Sequence, residues 1–223
     1  MPNNASPTVA VERLRITEIF YSLQGESLTV GCPTVFIRLT GCPLRCGYCD
    51  TDYAFQGGEW MALPEILERV AGYIPRYVTV TGGEPLAQRN CLTLLRALCD
   101  AGYTVSLETS GALTVEGVDP RVVKVMDVKT PGSGEVERNR YENIDALSRH
   151  DQVKFVICDR VDYQWAKEII ASYRLDGVCE ILFSPSHGQQ DPAQLAAWIL
   201  EDNLPVRLQL QLHKQLWGDE RGR

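Results

Sequence analysis

The sequence predicts an α/β fold whose parallel strands form an incomplete barrel, open on one side. Three observations carry that prediction. Short β-branched, apolar runs alternate along the chain with segments of helical period, the order of repeated βα units. The runs end, on their C-terminal side, in Gly, Ser, Thr or charged residues, and parallel α/β folds gather their ligand sites at that edge. About six such units make an incomplete barrel, and the stretch 112–121, interrupted by Pro120, is too short for a full helix, so one crossover is abridged.

The elements follow in order. Residues 14–20 alternate as a strand and run into the polar turn Ser22-Leu23-Gln24-Gly25-Glu26. Residues 34–39 are a buried strand with one charge, Arg38. Residues 63–70 read as a helix with Pro64 in its first turn. The strand 77–81 ends in Gly82-Gly83-Glu84-Pro85, and the helix 91–101 is closed by Gly102. Strands 103–108 and 122–128 end in Thr109-Ser110-Gly111 and Asp127-Val128-Lys129. Strand 152–157 leads to a helix over 161–173, and strand 178–183 ends in Ser184-Pro185-Ser186-His187-Gly188. Asp191 as N-cap and Pro192 at the first helical position open the last helix, and residues 206–212 are the last strand.

Composition bounds the function. A chain of 223 residues, 44% hydrophobic and 23% charged, is that of a globular protein able to bury a core without staples. The net charge of −7 speaks against non-specific nucleic-acid binding and for a small-molecule substrate or a protein partner. There is no apolar leader and no apolar run of about 18 residues, so no membrane partner and a cytoplasmic location are expected. One domain over 14–217 is expected between a flexible N-terminus, 1–13, and a flexible tail, 218–223. Eight scattered or clustered cysteines in a chain of this length fit a reducing compartment.

The chemistry centres on Gly41-Cys42-Pro43-Leu44-Arg45-Cys46-Gly47-Tyr48-Cys49-Asp50, where Cys42, Cys46 and Cys49 have C-x3-C-x2-C spacing. Thiolate suits iron–sulfur clusters, Cu(I) and zinc. Structural zinc takes four protein ligands, whereas three cysteines on a cubane leave one iron open for a ligand. Zinc, or three small buried hydrophobes, is the alternative. Cys32 is the one rival ligand; it and Cys91, Cys99, Cys158 and Cys179 read as core. Arg38 is either a charge on a solvated face or an anion-binding group in a cavity, and its place just before the cysteine loop favours the second. At Gly82-Gly83-Glu84 two glycines allow a close backbone approach and the carboxylate can accept from an ammonium; a plain Gly-Gly turn is the alternative.

In this strand order, the cysteine loop with Tyr48 before its last cysteine, and the Gly-Gly-Glu element, resemble the radical S-adenosylmethionine (SAM) superfamily. Residues 18–26, Arg38, the loop 41–51, Thr81 to Pro85, Glu108 to Gly111, Asp127 to Lys129 and Leu212-His213-Lys214 further resemble the 7-carboxy-7-deazaguanine synthase family, with Leu23-Gln24-Gly25-Glu26 the discriminating turn. The resemblance implies an abridged radical SAM (β/α) barrel and a homodimer. It implies conversion of 6-carboxy-5,6,7,8-tetrahydropterin to 7-carboxy-7-deazaguanine with release of ammonia, a step toward queuosine. It implies a [4Fe–4S] cluster, SAM used catalytically, Mg²⁺ and a flavodoxin-like or ferredoxin-like reductant. By the same resemblance Cys42, Cys46 and Cys49 hold the cluster and Thr51 holds Mg²⁺. SAM lies against Tyr48, Cys49, Asp50, Gly83, Glu84, Asp127, Val128, Lys129, Ser184, Pro185, Ser186 and His187. The substrate lies against Leu23, Gln24, Gly25, Glu26, Arg38, Thr81 and His213. Ser27 stands where the family commonly has glycine, and the tail past Trp217 is longer than in members that end beside the substrate. The alternatives are a glycyl-radical activating enzyme or, from another class, an iron–sulfur carrier or zinc module in which the Gly-Gly-Glu element would be idle.

Overall fold

A computed structural model describes residues 12–223. The apolar runs all enter one nine-stranded sheet. Its strands are β1 (Arg13–Leu23), β2 (Pro33–Leu39), β3 (Glu59–Ala62), β4 (Tyr77–Gly82), β5 (Thr104–Thr109), β6 (Val123–Asp127), β7 (Gln152–Ile157), β8 (Glu180–Pro185) and β9 (Arg207–Leu208). The spatial order is β3-β1-β2-β4-β5-β6-β7-β8-β9. From β2 to β9 every pairing is parallel. The sheet does not close: β3 and β9 are its edges.

The first strands depart from the all-parallel expectation. β1 pairs antiparallel with β2 and with β3. The connection from Leu23 to Pro33 is too short to hold the crossover that a parallel pair requires. The short edge strand β3 was not anticipated; four residues give too little alternation to read.

Helices α1 (Leu63–Ala71) and α2 (Cys91–Asp100) join with β1, β2, β4 and β5 in one apolar core. Helices α3 (Arg160–Tyr173) and α4 (Pro192–Glu201) pack on β6, β7 and β8 in a second. Asp159 and Asp191 cap α3 and α4 by accepting from backbone N–H groups of their first turns. The crossover 112–121 indeed lacks a helix, and the β6–β7 crossover is built of three short 3-10 turns.

Three boundary expectations change. Residues 1–11 lie outside the described residues, but Arg13 of the expected flexible arm already pairs with Ala62. The last strand stops at Leu208: Gln209 N–H makes the final sheet bond, to Phe183 O, and the chain then leaves the sheet. Residues Leu212–Trp217 form instead a short helix, α5. The tail 218–223, expected to be flexible, lies along the cavity described below. Among the described residues no helix is long and apolar enough to cross a membrane.

Candidate active site

With the helices on the outer face, the inner face of the curved sheet is left to polar side chains. They line a cavity of about 680 Å³ at the C-terminal edge of the strands. Parallel register puts them in tiers: Arg38 opposite Thr81, Glu108 opposite Val125, Asp127 opposite Lys154.

The cysteine loop forms one wall. Cys42, Cys46 and Cys49 are unpaired, half-buried and face the cavity, while Cys32, Cys91, Cys99, Cys158 and Cys179 do not line it. Burial pushes the thiols of Cys42 and Cys46 up. Two neighbours brace the loop. Gly47 N–H donates to Ser133 O, in the turn after β6, and Arg45 N–H donates to Glu135. The Gly-Gly-Glu strand end braces it from the other side: Gly83 N–H donates to Leu39 O and Glu84 N–H to Gly41 O. A Cβ on Gly83 would overlap Gly41 O and the Cys42 side chain. The close approach allowed by this glycine is thus to the cysteine loop itself.

Among the described residues no three His, Cys, Asp or Glu side chains gather round one ion. That disfavours a protein-only zinc site, which needs convergent ligands, and fits a cubane, which takes one thiolate per iron. Ser184 Oγ, buried on the cavity wall, has no hydrogen-bond partner, which fits a polar ligand there.

Leu23, Gln24, Gly25 and Glu26 continue from β1 across the inner face and make the floor. Gln24 Nε2 donates to Thr79 Oγ1 (3.1 Å) and Glu108 Oε1 (3.3 Å). Glu26 accepts from Lys154 Nζ (2.6 Å) and Gln211 Nε2 (2.9 Å). Gly25 O accepts from Leu212 N–H, and a Cβ on Gly25 would collide with the His213 ring. His213 therefore lies directly on the floor turn, as placed by α5 rather than by a strand. Burial lowers its pKa.

Arg38 rises beside the floor. Its Nε donates to Glu18 Oε1 (2.7 Å), which also accepts from Tyr53 OH (2.8 Å). Its two Nη groups have no partner among the described residues. Phe20 and Tyr53 flank the guanidinium, each ring centroid 5.8 Å away. Thr81 Oγ1 donates to Glu108 Oε2 (3.0 Å). Thr51 Oγ1 donates to Asp50 Oδ1 (3.0 Å) and keeps its lone pairs free.

On the far wall Lys129 Nζ contacts Asp127 (2.7 Å), and Lys154 contacts Asp127 (3.3 Å). Burial would raise the Asp127 carboxyl, but the two ammonium groups hold it below the usual range. Tyr48, Pro185, Ser186 and the exposed His187 complete that wall.

Two residues anticipated in the site do not face the cavity. Glu84 is fully buried, and its carboxylate accepts from Thr109 Oγ1, Ser110 N, Ser110 Oγ and Leu86 N. Its carboxylate fixes the β5 end and does not line the cavity. Val128 packs into the second core. Conversely, Glu108, Lys154, Tyr53 and Gln211 line the cavity and were not anticipated. Lys154 carried the signal that marked Arg38, a charge inside a largely apolar strand, whereas Glu108 lies near the end of a strand that alternates polar and apolar residues. Burial pushes the Glu108 carboxyl up, against the pull of Lys154, Thr81 and Arg38.

The fold and site have relatives. The radical SAM superfamily model matches residues 36–174. A 7-carboxy-7-deazaguanine synthase of Chlorobaculum tepidum is 49% identical, over 94% of this chain and 97% of its own. That of Koribacter versatilis is 46% identical, over 93% of this chain and 98% of its own. The crystal structure of QueE from Escherichia coli superposes with a TM-score of 0.73 at 25% identity, covering 90% of this chain and 95% of that one.

Proposed function

Because the chain belongs to the 7-carboxy-7-deazaguanine synthases of the radical SAM superfamily, enzymes of 7-deazapurine and queuosine biosynthesis, we propose how its cavity divides the work. Cys42, Cys46 and Cys49 hold a [4Fe–4S] cluster with SAM beside it, and the substrate, 6-carboxy-5,6,7,8-tetrahydropterin, lies across the floor from them. The observation that carries this is one cavity with free thiols on one wall and a guanidinium with unbonded Nη groups on another. When bound, the cluster and SAM supply the one-electron chemistry that begins hydrogen abstraction.

The chain's own residues orient and shield. Arg38, aimed by Glu18, grips the substrate carboxylate bidentately. Gln24, Thr81 and Glu108, already linked by hydrogen bonds, offer donors and acceptors to the pterin edge. Leu23, Gly25, Glu26 and His213 support its underside. Lys129, Asp127 and Ser184 to His187 meet SAM, and Tyr48, Asp50 and Gly83 position it near Cys49. Thr51 holds Mg²⁺; no three His, Cys, Asp or Glu side chains gather there among the described residues, and the ion takes its remaining ligands from water and substrate.

The same reading includes a flavodoxin-like or ferredoxin-like electron donor, a cytoplasmic location and a homodimer. An exposed apolar set, Tyr21 stacked on Tyr73 at 5.8 Å with Ile74 next to it, supports a second copy as partner. A glycyl-radical activating enzyme is not favoured, because Gln24 to Glu26 form the cavity floor. The test is anaerobic reconstitution followed by incubation with SAM, a reductant and the carboxy-tetrahydropterin. The deazaguanine and ammonia should appear, and SAM should not be consumed stoichiometrically; SAM cleavage without the deazaguanine would refute the substrate assignment.

A further inference from the structure

Among the described residues, Arg221 of the tail is the one Lys or Arg lining the cavity with no ion-pair partner. The lysines and arginines lining the cavity are Arg38, Lys129, Lys154, Lys214, Arg221 and Arg223. Five of these have a carboxylate within ion-pair distance: Glu18, Asp127, Glu26, Asp219 and Glu220 respectively for Arg38, Lys129, Lys154, Lys214 and Arg223. Arg221 has none among the described residues. Its guanidinium carbon lies 4.2 Å from the centroid of the Tyr53 ring. The same ring has Arg38 at 5.8 Å. Tyr53 cannot swing away freely, because its hydroxyl is tied to the Glu18 oxygen that also orients Arg38. The neighbouring Gly222 comes up to Phe20, the other ring beside Arg38.

Two guanidinium groups, one rooted in β2 and one on the tail, thus share a pinned aromatic ring at the same mouth. Stacking on an aromatic face leaves the edge of a guanidinium free to donate. An anion held by the Arg38 fork would lie beside the ring that Arg221 also contacts, so that both positive charges act on it. We propose that Arg221 is a second carboxylate-recognising residue, which closes the tail over the bound substrate and confers selectivity for the carboxylated pterin. This rests on the reading of Arg38 as the carboxylate site. It also gives the tail a role without a terminal carboxylate.

The test uses the reconstituted holoenzyme and two probes, 6-carboxy-tetrahydropterin and tetrahydropterin without the carboxylate. Calorimetric Kd values are measured for the parent, Arg221→Ala, Arg221→Lys and Arg38→Ala. Arg221→Ala should weaken the carboxylated probe by about tenfold, the value of one charge-assisted contact. Its affinity for the other probe and for SAM should be unchanged. Arg221→Lys should recover part of the loss, and KM should rise while kcat holds. If Arg221→Ala weakens both probes alike, or neither, while Arg38→Ala still discriminates, the role of Arg221 is refuted. If the parent itself binds both probes alike, the carboxylate reading of Arg38 is refuted, and this proposal with it.

Discussion

At the scale of single residues, the site is a set of groups whose partners leave one function open. Cys42, Cys46 and Cys49 alone among the eight cysteines face the cavity. Cys46→Ala should abolish SAM cleavage and the cluster's visible absorbance, while Cys32→Ala should retain both. Arg38 spends Nε on Glu18 and keeps its fork. Arg38→Lys preserves the charge but not the fork, so substrate Kd should rise about tenfold or more while SAM binding stays within twofold. Thr51 presents a hydroxyl whose proton goes to Asp50. Thr51→Val should keep cluster and SAM binding and lose Mg²⁺ stimulation of turnover; unchanged stimulation would move the ion to Asp50 or Asp52. Glu108 shows the opposite economy, a carboxylate whose ionisation burial opposes. Its folded pKa is raised from 4.5, so the folded state holds that proton to higher pH than the unfolded chain does. Stability is therefore lost as pH rises through this window. Glu108→Gln should raise Tm at pH 8, with the gain shrinking toward pH 4, and should weaken substrate binding. An equal Tm gain at both pH values would show that ionisation is not the cause.

At the scale of elements, strand ends and turns were legible where their chemistry is local. The alternation of apolar runs with helical segments located the parallel strands β4 to β8, and Asp191 caps α4 as expected, while the cap Asp159 of α3 was not singled out. Residues 206–212 alternate as well as any strand, yet only Arg207 and Leu208 pair. What ends β9 is tertiary: Leu212 N–H and Gln211 Nε2 are taken by Gly25 and Glu26, far away in sequence. The contacts of Glu84 were missed for the same reason. A carboxylate beside two glycines suggests a ligand, and only the fold reveals that Thr109 and Ser110 donate to it. Two glycines separate the two halves of the site. Gly83→Ala pushes a methyl group into the cysteine loop, at a cost of about 1–3 kcal/mol, and should impair cluster retention. Gly25→Ala displaces His213 and should leave the cluster spectrum intact while weakening the substrate. Equal cluster loss in both variants would show that floor and loop are one unit.

At the scale of the whole molecule, the open sheet was foreseen from the count of about six βα units, and the charges it encloses only in part. Arg38 stood out beside the cysteine loop; Glu108 and Lys154 become meaningful only when register sets them on one face. The floor turn also links distant parts of the chain, since Glu26 and Gln211 are 185 residues apart. The backbone groups of residues 41–49 are braced by partners between Leu39 and Glu135, and only Asp50, at the end of the loop, reaches further, accepting from Gln211 Nε2 (3.4 Å). Synthesis at about 5–20 residues per second separates the two events by several seconds. On the ribosome, the partners that brace Cys42, Cys46 and Cys49 are therefore all synthesised while the floor still lacks its last partner. Chain order thus gives the thiol wall its supports first and the substrate floor its last support at the end.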